Sequence, residues 1–173
     1  MNKNIKREEN LSIKAKIFFL LLYLTLFIGF YFNEDSSGSG GFIADFNNTW
    51  GYVIALQNKI FLLPSQWVQH TPLHFLIISK FYPFLESKYF LRLFYCSLSF
   101  LIPLFFYKTL KIKFHEINKN FLFIFSSSIF LFPAFRSGAI WANDHLTALF
   151  FFLISLYFFV KWEKKNKIKH IYF

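Results

Sequence analysis

Two aspartates and a few cations are the residues of this chain best suited to chemistry. Asp45 lies in Phe42 to Gln57, a stretch with helical spacing. Phe42, Phe46, Trp50 and Val53 make an apolar stripe, while Asp45, Asn48 and Tyr52 make a polar stripe on another face. Such a helix lies on a membrane with Asp45 at the level of the lipid headgroups. There the carboxylate is either simply solvated or placed to accept a proton. Asp144 stands in Trp141-Ala142-Asn143-Asp144-His145, directly before an apolar run. A helix N-cap accounts for an acid at that point and is worth about 1 kcal/mol. Alternatively, two acids facing one water-filled pocket act as base and cation anchor. Spacing alone leaves both choices open.

The cations lie between these acids. His70 and His74 are i, i+4 neighbours around Pro72, which suits the first turn of a helix. A metal clamp needs a third ligand, and none stands nearby in sequence. Contact with a lipid phosphate suits such a histidine and Lys80 better at an interface. Asp35 to Gly41 has the composition of a flexible loop and lacks the lysine and helix start of a nucleotide cradle. Asn47-Asn48-Thr49 matches a glycosylation acceptor, a pattern too short to carry weight. The single cysteine, Cys96, falls in an apolar run and reads as a small core residue.

The elements that must position these groups follow from composition and charge. The chain has 173 residues, 55% of them hydrophobic, 24% aromatic and 16% charged, with a net charge of +10. Its 29 phenylalanines exceed what a small soluble core can hide. Disorder and a disulfide scaffold are excluded, and the basic balance does not collect into a nucleic-acid-binding face. Five apolar runs stand out: 15–32, 71–85, 89–107, 121–135 and 146–160. Fourteen of the 19 basic residues form three blocks, namely Lys3 to Lys16, Lys108 to Lys119 and Lys161 to Lys169. By the positive-inside rule all three are cytoplasmic, so an even number of crossings separates consecutive blocks. One run between the first two blocks therefore does not cross. Thr71 to Leu85 is the weakest, being short and holding Pro72, Pro83, His74 and Lys80.

The expectation is an all-α membrane protein of about four transmembrane helices, with both termini cytoplasmic. Basic tails at 1–16 and 161–173 flank a membrane domain over 17–160. Its spans fall at about 15–32, 89–107, 121–135 and 146–160. An outer loop, 33–88, carries interfacial helices at about 42–57 and 71–85, and a short outer loop covers 136–144. A cleaved signal peptide over the first run, with small Ser37 and Ser39 beyond it, is the alternative and leaves the same segments outside.

In this order the motifs resemble the N-terminal part of the multispanning glycosyltransferases that use polyprenyl-phosphate-linked sugars. This is the GT-C fold of protein O-mannosyltransferases and lipid A aminoarabinose transferases. Asp45 stands at that family's first acid, and Thr71-Pro72-Leu73-His74-Phe75 resembles its Pro-Pro-Leu-Tyr-Tyr motif. Phe90-Leu91-Arg92-Leu93 is similar to its Ala-Leu-Arg-Leu. Arg136 with Asp144-His145-Leu146-Thr147 resembles its Arg…Asp-Pro-Leu-Thr. Departures are Phe46 after the first acid, Thr71 and His145 in place of prolines, and His70 where a lysine is usual. Glu34 and Asp35 are alternative first acids.

The resemblance implies an inverting transferase of the cytoplasmic membrane with its active site on the outer side. A sugar would pass from a polyprenyl-phosphate donor to a lipid, glycan or protein acceptor. It assigns Asp45 as base, Asp144 as a shaping residue with a divalent cation as the one implied cofactor, and His70, Lys80 and Arg136 to the donor phosphate. It covers only about the first third of a typical member. The competing expectation is therefore a non-catalytic subunit, or a truncated relic, packed with a larger membrane protein that supplies further spans. A transporter fragment ranks last, because only Arg92 approaches an intramembrane charge.

Overall fold

Long runs of Leu, Ile and Phe leave the backbone to satisfy its own N–H and C=O groups, which in lipid means a helix. The computed structural model describes residues 10–58, 72–85 and 87–171, and every regular element among them is helical. In chain order these are α1 (Ile13–Tyr31), α2 (Gly41–Gln57), α3 (Pro72–Leu85), α4 (Lys88–Leu98), α5 (Leu101–Lys113) and α6 (Lys119–Ser127). A 3-10 turn (Ser128–Leu131), α7 (Pro133–Ile140) and α8 (Asp144–Ile171) complete the set. Side-chain caps start three of the first six helices. Ser12 accepts from the Ala15 amide, Ser87 from Phe90, and Asn118 from Asn120 and Phe121.

Three segments are long and apolar enough to cross a membrane: Ile13–Tyr31, Lys88–Lys113, which joins α4 to α5, and Asp144–Lys165. The fourth expected span, 121–135, departs from a straight helix. Lys119–Leu131 and Pro133–Ile140 meet at 69°. Pro133 cannot donate and pushes Phe132 into an extended conformation, φ −75° and ψ 119°. Just before it, the hydroxyls of Ser126, Ser127 and Ser128 donate back to Phe123 and Phe125 carbonyls. Such back-bonding bends helices. The stretch expected as a short loop, 136–144, instead begins with the second half of α7. The tail expected at 161–173 continues α8 as far as Ile171.

The four segments alternate in direction. At one end, the Ser12 amide donates to Asn120 Oδ1 at 2.8 Å, and Ala15, Tyr107, Leu122 and Phe123 form a buried cluster. Lys113 Nζ lies 3.3 Å from Glu163 at the same end. Described lysines of all three basic blocks therefore gather there. At the other end, α1 meets α7 and α4. The main core runs between, through Leu26, Ile78, Leu91, Phe130 and Ile140. Outward-facing Leu21, Ile28, Phe152 and Phe158 are each more than half exposed, which suits a lipid surroundings rather than water.

α2 has the two faces its spacing predicts. Phe46, Thr49 and Val53 are buried, and Asn48 is exposed. Tyr52, expected on the polar stripe, stacks its ring on Phe75 of α3 with centroids 5.0 Å apart. The Gln57 side chain donates to the Ser79 carbonyl, a second tie between α2 and α3.

Candidate functional site at the end away from the lysines

The tightest feature at this end joins residues far apart in sequence. Arg136 of α7 meets Glu34, just beyond α1, through two parallel bonds, Nε to Oε1 and Nη2 to Oε2, both 2.7 Å. Its remaining donors reach Thr25 Oγ1 at 2.7 Å, the Thr25 carbonyl at 3.0 Å and the Phe130 carbonyl at 3.3 Å. Bidentate pairing of this kind is directional and strong for an ion pair. Gly29 makes room for it: a Cβ there would collide with Glu34 Oε2 and lie 2.9 Å from Arg136 Nη2.

Trp141 extends the clamp. Its indole N–H donates to the Glu34 carbonyl at 2.9 Å, and its ring carries the Arg92 guanidinium at 3.6 Å. Phe30 covers the other face of Arg92 at 4.9 Å, and Arg92 Nε donates to the Ile140 carbonyl at 3.0 Å. Among the described residues Arg92 thus holds its charge against aromatic faces and a backbone carbonyl rather than against a carboxylate.

The acids occupy different situations. Both Glu34 oxygens already accept from Arg136. Asp35 Oδ1 accepts from the Ser37 amide and hydroxyl, and Oδ2 from the Ile43 amide, which ties the loop to the start of α2. Slight burial works to raise the Asp35 pKa, but these hydrogen bonds outweigh it and leave the carboxyl below its ordinary value. Asp45 is half-buried on α2 and has no hydrogen-bond or ion-pair partner among the described residues. Its neighbour Phe46 packs on Trp141 at 5.9 Å, which brings α2 beside the clamp.

Asp144 does not cap α8. Asn143 does so, its Oδ1 accepting from the His145 amide at 3.0 Å, and Asp144 is the first helical residue. A short asparagine takes the cap because Ala142, at φ +48°, turns the chain sharply into the helix. Asp144 is only 11% exposed, and its Oδ1 lies 3.8 Å from His145 Nδ1.

One turn further into α8, Thr147 completes a half-buried polar triangle around the buried His74 that sequence reasoning missed. His74 Nδ1 is 2.9 Å from Thr147 Oγ1, and the Tyr95 hydroxyl is 3.3 Å and 3.1 Å from the same two atoms. In the sequence His74 stands out as half of a metal pair, as a lipid-phosphate contact and within the proline motif, and none of these readings pairs it with Thr147 or Tyr95. The signal available in the sequence was a histidine inside an apolar run, and in the structure it has 0% exposure. Beneath the triangle lies a cavity of about 210 Å³ walled by Ile78, Phe81, Leu91, Leu98, Ile102 and Phe150. A larger groove of about 600 Å³ runs beside the α6–α7 bend, with Asn143 and His145 on its rim.

Of the residues singled out from sequence, Glu34 and Arg136 are brought into contact. Asp45 lies on α2 and Asp35 in the loop hydrogen-bonded to the start of that helix, and Asp144 adjoins the triangle through Thr147. Lys80 is exposed on α3, and His70 lies outside the described residues. No three His, Cys, Asp or Glu side chains among the described residues converge as metal ligands. The implied divalent cation thus finds no ready ligand set among them. No family model, curated protein or solved structure matches the chain.

Proposed function

We propose that this chain is the N-terminal part of a membrane glycosyltransferase. It would pass a sugar from a polyprenyl-phosphate donor to a lipid, glycan or protein acceptor outside the cytoplasmic membrane. The observation that carries the proposal is the contrast among the acids. Glu34 is consumed by Arg136 and Asp35 by its own loop, whereas Asp45, on the helix that packs beside the clamp through Phe46, has no such partner among the described residues. Asp45 accepts the acceptor's proton as the acceptor oxygen or nitrogen attacks the anomeric carbon and the lipid phosphate departs. Asp144 shapes the site from the start of α8. His70 and Lys80 counter the phosphate charge. Arg136 contributes more weakly, because Glu34 already shares its charge.

The experiment is sugar transfer from a polyprenyl-phosphate donor, in membranes carrying the intact gene product. An Asp45→Asn variant is expected to lose transfer, by about 100-fold or more for loss of a general base. Unchanged transfer would remove the base assignment.

A second proposal, a non-catalytic subunit packed with a larger membrane protein, has its own observation. Irregular backbone at membrane depth is tolerated only where protein or a water-filled cavity covers it. The α6–α7 bend leaves Phe125, Leu131 and Phe132 more than half exposed beside the open groove. A partner that copurifies and crosslinks at this bend supports the subunit. Turnover by the chain alone supports the enzyme.

A further inference from the structure

The lysine-bearing end holds an arrangement that neither proposal uses. α5 and α8 pack side by side, and their seam is aromatic. The Phe105 ring meets Phe150 edge-on at 5.8 Å and Tyr157 edge-on at 6.1 Å. Lys108, one turn beyond Phe105, folds its ammonium back to 5.4 Å from that ring. Lys161, one turn beyond Tyr157, does the same at 5.9 Å. A continuous chain of contacts, Lys108–Phe105–Tyr157–Lys161, therefore crosses from one helix to the other.

Neither ammonium has a carboxylate within ion-pair distance among the described residues. The acid recorded nearby on α8, Glu163, is paired with Lys113. Both lysines are exposed, and they stand where an apolar helix face ends. Phe158, Phe159 and Trp162 are 59%, 58% and 60% exposed beside Lys161. Two uncompensated cations on adjacent helices, at the edge of a hydrocarbon-facing surface, match a phosphodiester with acyl chains attached. A choline or ethanolamine headgroup brings its own cation and gains less from the pair. Folding each lysine stem over a ring also limits the freedom lost when the ammonium is engaged.

We propose that the α5–α8 seam at this end binds the headgroup of an anionic phospholipid through Lys108 and Lys161, with the acyl chains along the exposed face of α8.

The purified full chain, in zwitterionic detergent, is titrated with phosphatidylglycerol and phosphatidylcholine, and retained lipid is counted by native mass spectrometry. The wild type is expected to prefer phosphatidylglycerol. A Lys108→Gln/Lys161→Gln variant should lose about 30-fold in that preference, from a factor of about 5 per lysine. Lys108→Arg/Lys161→Arg should keep it. A Lys14→Gln/Lys111→Gln variant removes the same charge elsewhere at this end and should lose far less. Inorganic phosphate should not displace the lipid, which separates a membrane headgroup from free phosphate as the source. Equal loss in the two glutamine variants would overturn the site in favour of diffuse surface charge. No lipid preference in the wild type, or displacement by phosphate, would overturn it outright.

Discussion

Replacing Gly29 by alanine tests the clamp by the sign of its effect. Gly29 lies in the last turns of α1, where alanine ordinarily stabilises a helix by about 0.5–1 kcal/mol. Here the added methyl would collide with Glu34 Oε2 and stand 2.9 Å from Arg136 Nη2 and 3.0 Å from Ile140 Cδ1. Arg136 has little room to yield, since Thr25 and the Phe130 carbonyl hold its other donors. Relief must come from breaking the bidentate pair. Hydrogen bonds to charged groups are worth about 1.5–3 kcal/mol each. The Glu34 side chain is 31% exposed and can turn to water, so the total loss is discounted to about 2–3 kcal/mol. Net of propensity, Gly29→Ala should destabilise by about 1–2 kcal/mol. The assay is reversible unfolding in mixed micelles against rising dodecyl sulfate, followed by tryptophan fluorescence. Repeating it in a Glu34→Ala background removes the colliding oxygen and should bring the Gly29→Ala cost close to zero. A stabilising Gly29→Ala in the wild type, or an equal cost in both backgrounds, would refute the reasoning.

Three further outcomes are expected. Asn143→Ala should cost about 1 kcal/mol in the same unfolding assay, because the cap of α8 is the asparagine. Thr147→Val leaves His74 and Tyr95 short of a shared partner and should cost about 1–3 kcal/mol, more than Tyr95→Phe, which spares the 2.9 Å His74–Thr147 bond. The Asp35 pKa is lower in the folded state. Its support of the loop is therefore complete above the ordinary aspartate range and fades as pH falls below about 4. Hydrogen exchange at the Ser37 and Ile43 amides, faster at the acid end in the wild type and independent of pH in Asp35→Asn after correction for intrinsic rates, checks this.

Local pattern carried much of the architecture. The stripe of Phe42, Phe46, Trp50 and Val53 located α2 to within a residue at its start, and Pro72 opens α3 as its fixed φ favours. Apolar length alone marked the segments around α1, α4–α5 and α8. The bend at Phe132–Pro133 was written in Ser126-Ser127-Ser128 and Pro133, but a hydropathy window averages over both signals. The cap of α8 was misplaced by one residue, because Asn143 and Asp144 are both good caps and only the positive φ of Ala142 decides between them. Hidden from any local pattern was the partner of Glu34. Nothing near either residue announces a pair formed across 102 positions, and Gly29 and Thr25 gain meaning only once the pair is known.

That separation has a consequence for how the protein is made. At about 5–20 residues per second, a ribosome needs roughly 5–20 s to travel from Glu34 to Arg136. Throughout that interval the first helix is already synthesised while its clamp is missing. Glu34 must wait in water or against another protein, and α1 rests on earlier contacts with α4, such as the 2.8 Å bond from the Tyr23 hydroxyl to the Ser97 carbonyl. Only when α7 emerges does α1 gain the Glu34–Arg136 clamp as well. The final seating of α1 therefore waits on α7, and slowing synthesis between residues 34 and 136 lengthens the period in which α1 lacks its clamp and is open to proteolysis.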